Sequence, residues 1–78
     1  MNTTETVLRV LQEVRPDIAF EDETKLIDDG ILDSFDIVSI VGDLNDEFEI
    51  EISVDELLPE NFNSLQAITE LVERMMQD

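Results

Sequence analysis

Apolar residues recur at helical spacing in three stretches of this chain. Between residues 4 and 14, Val7, Leu8, Val10, Leu11 and Val14 share one side at roughly 100° per residue, and Glu5, Arg9, Gln12 and Glu13 share the other. This predicts an amphipathic helix capped by Thr3 or Thr4 and stopped by Pro16. From Ser34 to about Phe48, Ile37, Val38, Ile40, Val41, Leu44 and Phe48 gather in one arc. Asp36, Ser39, Asp43, Asp46 and Glu47 fill the opposite arc, so a half-buried helix shows water an acidic stripe. A last helix from about Ser64 to Met76 buries Ile68, Leu71, Val72 and Met75, with Asn63 and Gln66 as a capping pair.

The segments between these helices follow neither period cleanly. Arg15 to Asp33 is rich in Asp, Glu and Thr with isolated apolar residues (Ile18, Phe20, Leu26, Ile27, Ile31, Leu32), which predicts a long loop pinned to a core. Residues 48–54, FEIEISV, alternate like a strand but have no partner strand. They are assigned as a connector that plugs Ile50, Ile52 and Val54 into the core. A short helical segment follows from about Ser53 to Leu58, ended by Pro59. The whole reads as an all-α fold, a small antiparallel four-helix bundle with a short third helix.

With 78 residues and 42% apolar content, residues 1–78 make a single small domain, one that buries roughly 60% of the surface of its unfolded chain. Cys, His, Trp and Tyr are absent, which excludes disulfide stapling and Cys/His metal sites; no metal site is expected. The amino terminus MNTTETVLRV has no basic region, and no apolar run exceeds three residues, which points away from a secretory signal and a membrane span. A monomer in the cytoplasm is the expectation. Four basic residues against twenty-one acidic ones give a net charge of −17, so nucleic acid and anionic membranes are repelled and the natural partner is a basic surface.

Chemistry concentrates in Asp28-Asp29-Gly30-Ile31-Leu32-Asp33-Ser34-Phe35-Asp36, where a turn glycine, acidic residues and a serine meet at a helix start. Serine is among the best helix caps, so on helix signals alone Ser34 reads as a cap. A calcium loop with Gly30 at its sixth position would place Lys25 at the first and Ile27 at the third, and a cation and a hydrocarbon cannot be oxygen ligands. A self-contained hydrolase would need a base for Ser34, yet there is no His and a single Lys. No catalysis is assigned.

The stretch DDGILDSFDIVSIVGDLNDEFEIEI resembles the prosthetic-group site and following helix of acyl carrier proteins, which carry an Asp-Ser pair opening an acidic second helix. The likeness extends over about residues 4–76 in the order and length of elements. It implies that a separate phosphopantetheinyl transferase attaches 4′-phosphopantetheine from coenzyme A to Ser34, whose arm then carries cargo as a thioester. It further implies, by position, that Asp33, Asp36, Asp43, Asp46 and Glu47 contact basic docking surfaces on partners. Those partners are an acyl- or aminoacyl-activating ligase and acyl-transferring enzymes. Phe35 stands where many carriers have leucine, and either packs beside the arm or enters the core. Ile31 and Leu32 both separate Gly30 from Asp33-Ser34, where many fatty-acid carriers have one residue; this spacing is similar to D-alanine carriers of teichoic acid modification.

The expected function is therefore a non-enzymatic carrier of acyl or aminoacyl groups, with a D-alanyl carrier as the narrower alternative. An acidic interaction module that needs no accessible Ser34 is the alternative of a different class. Whatever its cargo, a chain with charge −17 repels itself. Its melting temperature is expected to rise between low and moderate salt as the repulsion is screened; an unchanged value would contradict this.

Overall fold

Asn2, rather than Thr3 or Thr4, starts the first helix. Its side-chain oxygen accepts the Glu5 N–H at 2.8 Å, and α1 runs Thr3–Val14. Asn is at least as good a cap as Thr, and taking that role one residue earlier leaves both threonines inside the first turn. The computed structural model describes residues 2–77. Within them follow α2 (Ser34–Phe48), α3 (Pro59–Phe62) and α4 (Leu65–Met76), with single 3-10 turns at Phe20–Asp22 and Val54–Glu56. No strand occurs among the described residues, so FEIEISV is a connector as its lack of a partner predicts.

α1 lies at the centre and packs against both α2 and α4, while α3 leans on α4. Val7, Val10 and Leu11 of α1 meet Ile40 and Leu44 of α2 and Ile68, Leu71 and Val72 of α4 in one buried cluster. The long connection contributes Phe20, Leu26 and Leu32 to the same cluster, α3 contributes Phe62, and the second connector Ile52. At 11.2 Å the radius of gyration matches the ~11.5 Å of an ordinary folded chain of this length, so the net charge does not swell the fold.

Three expectations are corrected. Val54 is 82% exposed, because the chain turns into a 3-10 turn there and only Ile52 and, partly, Ile50 of the alternating residues reach the core. Pro59 opens α3 instead of ending a helix: its missing N–H costs nothing at a first position, where its fixed φ already suits a helix. The cap of α4 is Ser64, which accepts the Ala67 N–H at 3.0 Å. Asn63 and Gln66 form no capping pair; Gln66 instead donates to Glu70 at 3.2 Å.

Asn63 has another task. Its Oδ1 accepts the Ile27 and Asp28 N–H groups at 2.9 and 3.1 Å, its Nδ2 donates to Asp28 Oδ2 at 3.2 Å, and its carbonyl accepts the Leu26 N–H at 2.8 Å. The junction between α3 and α4 thereby holds the loop that leads to α2. Within that loop Gly30 adopts φ +72° and the Leu32 N–H returns to the Leu26 carbonyl at 3.0 Å, closing the turn that delivers Asp33. Asn45 does the same for the other connector, accepting the Ile52 N–H on its side chain at 3.0 Å and the Ile50 N–H on its carbonyl at 3.1 Å. Replacing Asn63 with Ala removes the side-chain acceptor of two backbone N–H groups, one part-buried and one exposed, and should cost about 1 kcal/mol in a denaturant titration. An unmoved midpoint would show that the loop is held by its apolar anchors alone.

Candidate functional site

The helix that begins at Ser34 is capped by its neighbour. Asp33 is extended (φ −109°, ψ −176°) and its Oδ1 accepts the Asp36 N–H at 2.9 Å, while Asp36 Oδ2 accepts the Asp33 N–H at 3.3 Å. This reciprocal capping box closes the first turn. Ser34 is therefore the first residue inside the helix, not the cap. Its side chain is exposed, and among the described residues its hydroxyl has no hydrogen-bond partner. The first-turn N–H groups of Ser34 and Phe35 have no intrahelical acceptor and sit at the positive end of the helix dipole, a setting that favours a phosphate ester.

The acidic surface expected along α2 divides into two groups. Asp43 and Asp46 are exposed and, with Glu13, edge a shallow recess between α1 and α2 floored by Val14, Ser39 and Gly42. Glu47 is bound by Arg9 at 2.9 Å, and the same guanidinium reaches Glu13 at 3.4 Å, so Glu47 is partly engaged inside the molecule. Asp36 departs furthest from expectation. Its side chain is only 14% exposed and is held by Arg15 Nη1 at 2.6 Å. It belongs to the scaffold of the site more than to its outer face.

Arg15, which the residue pattern did not single out, takes three partners at once. Besides Asp36, it donates from Nε and Nη2 to the two oxygens of Asp17 at 3.0 and 2.9 Å, and from Nη1 to the Ile31 carbonyl at 3.4 Å. The hydrogen bonds to Asp17 and then Asp36 raise its pKa further above an already high value, so it stays a cation. The same contact holds Asp17 below its ordinary value of 3.8. The stability this pair supplies is present above that value and is lost as pH falls through the lowered one. Scarcity was the available signal: only four cations stand against twenty-one acidic residues, so each is a candidate for a structural pairing.

Apolar residues also deviate. Phe35 is 83% exposed, which removes it from the core, and Val38, assigned to the buried arc by periodicity, is 68% exposed. They lie three residues apart on α2 and give the serine an apolar flank. On another side, Ile27, Ile37, Leu57, Leu58, Pro59 and Phe62 enclose a small recess of about 90 Å³ between α2 and the start of α3. Among the described residues no three carboxylates converge to hold a metal ion, and no helix is long and apolar enough to cross a membrane.

A family described as the phosphopantetheine attachment site matches residues 4–72. The D-alanyl carrier protein of Bacillus mycoides (strain KBAB4) is 42% identical over 52 residues, covering 64% of this chain and 66% of that protein. The D-alanyl carrier protein of Streptococcus suis (strain 05ZYH33) is 30% identical over 77 residues, covering 97% and 98% respectively. Carriers of this kind bear covalently attached 4′-phosphopantetheine, work with a phosphopantetheinyl transferase and acyl-activating enzymes, and catalyse nothing themselves. With its four helices and an uncommitted serine opening the second, the chain belongs to the phosphopantetheine attachment-site family of carrier proteins.

Proposed function

We propose that Ser34 bears the 4′-phosphopantetheine arm and that the cargo is an amino acid, D-alanine in the first place, carried for teichoic acid modification. The observation that carries the site is the freed Ser34 hydroxyl: Asp33 does the capping, so modifying Ser34 removes no hydrogen bond from the fold. Two features favour the small cargo: both relatives are D-alanyl carrier proteins, and two residues separate Gly30 from Asp33.

Loading needs another protein. Ser34 Oγ attacks the pyrophosphate of coenzyme A; the Oγ–phosphorus bond forms, a phosphorus–oxygen bond to the adenosine side breaks, and adenosine 3′,5′-bisphosphate leaves. No His is present to take the hydroxyl proton, and the reading assigns the base to the transferase. The attached group supplies a terminal thiol for the thioester. Asp33 and Asp36 hold the first turn, its N–H groups and dipole favour the added phosphodiester, and Asp43 and Asp46 steer a basic partner into register. The reading makes the chain a monomeric, single-domain shuttle in the cytoplasm, where coenzyme A and the activating ligase meet it.

Intact mass after incubation with coenzyme A, magnesium and a broad-specificity transferase should rise by one phosphopantetheine in the parent and not in a folded Ser34→Ala variant. The loaded parent, given ATP and a D-alanine-activating ligase, should then gain one alanyl group. Loading without alanylation but with fatty acylation would replace the cargo. A folded, unmodified parent that no transferase loads would replace the carrier reading with the acidic interaction module.

A further inference from the structure

We propose that Arg15 is a positioning residue for the modification of Ser34, acting through Asp36 and the capping box; this rests on the assignment of the arm to Ser34. Among the described residues Arg15 is the one cation that meets the first turn of α2. It lies at the end of α1, and its fork joins Asp17 just after α1 to two places 16 and 21 residues beyond Arg15, the Ile31 carbonyl just before the site and Asp36 inside the first turn. Those contacts make the end of α1 a fixed reference for the serine.

Asp36 Oδ2 is shared between Arg15 Nη1 at 2.6 Å and the Asp33 N–H at 3.3 Å. The short contact is with the cation. Remove it and Asp36 is left as a carboxylate facing the carboxylate of Asp33, held by one long hydrogen bond within the field of a chain of charge −17. Like charges at that range repel. Asp36 then swings outward, Asp33 loses its reciprocal partner, and the turn carrying Ser34 Oγ frays. A phosphodiester on Ser34 adds another negative charge beside the same two carboxylates, so the guanidinium also offsets repulsion in the loaded form. A transferase that must bring phosphorus up to Oγ is sensitive to such looseness, since a misplacement of roughly 1 Å can cost ~100-fold in rate.

The role separates from plain stability and from docking. In Arg15→Gln, kcat for loading by the transferase is expected to fall on the order of tenfold while the KM for the carrier moves less than about twofold. Asp43→Asn with Asp46→Asn, which strips the steering charges, should raise KM instead. Arg15→Lys restores a cation but not the fork and should recover only part of kcat. Arg9→Gln breaks the other tie between α1 and α2 and serves as the structural control, with kcat kept. Independently of loading, amide hydrogen exchange at Asp36 and Ile37, whose N–H groups bond to Asp33 Oδ1 and the Asp33 carbonyl, should quicken in Arg15→Gln and not in Arg9→Gln. Parental kcat in a folded Arg15→Gln, a loss confined to KM, or an equal loss in Arg9→Gln would each overturn the role. A parent that is not loaded at all, with exchange at Asp36 and Ile37 still quickened, overturns the assignment of Ser34 and the positioning role with it.

Discussion

Mutual repulsion among twenty-one carboxylates, with four cations to set against them, is the constraint this fold has to meet. The apolar cluster pulls the helices together, and three arginines lie across the seams between elements. Arg9 ties α1 to the far end of α2 through Glu47, Arg15 ties the end of α1 to the near end of α2 through Asp36, and Arg74 joins α4 to Glu56 in the turn before α3. Each bridges separate elements, and two of them bind α1 to α2. The acidity is thus balanced at the seams and left unbalanced on the outer face, at Asp43 and Asp46.

What the residue pattern revealed follows what periodicity can encode. The long helices were legible because an unbroken apolar arc at 3.6-residue spacing admits one interpretation over a dozen residues. Ile50 and Ile52 were legible for the same reason at period two. A short third helix was expected, but about Ser53 to Leu58, where the chain makes only a 3-10 turn, and not at Pro59–Phe62: four residues carry no period, and a proline can end a helix or open one depending on backbone outside the window. Val38 and Val54 were placed wrongly because hydrophobicity gives a tendency to be buried, while burial depends on which neighbours arrive.

The site was legible to a different depth. Ser34 could be singled out as a candidate from the order of elements around it, but on helix signals alone it looked like a cap, and only the backbone of Asp33 shows which residue takes that role. Asp36 and Glu47 looked like members of one exposed stripe. A helical wheel cannot show that guanidinium groups from α1 lie across two positions on that stripe, because the pairings span 21 and 38 residues of sequence. Asn63 and Asn45 were missed likewise, since a side-chain amide that holds a distant loop leaves no local signature.

On the proposed attachment at Ser34, the division of roles between Asp33 and Ser34 bears on how the carrier would present itself through its cycle. The residue that starts the helix is then not the one altered, and the side chain that is altered holds nothing in place. Loading would break no hydrogen bond of the first turn, which would leave the arm itself as the feature by which a partner tells a laden carrier from an empty one.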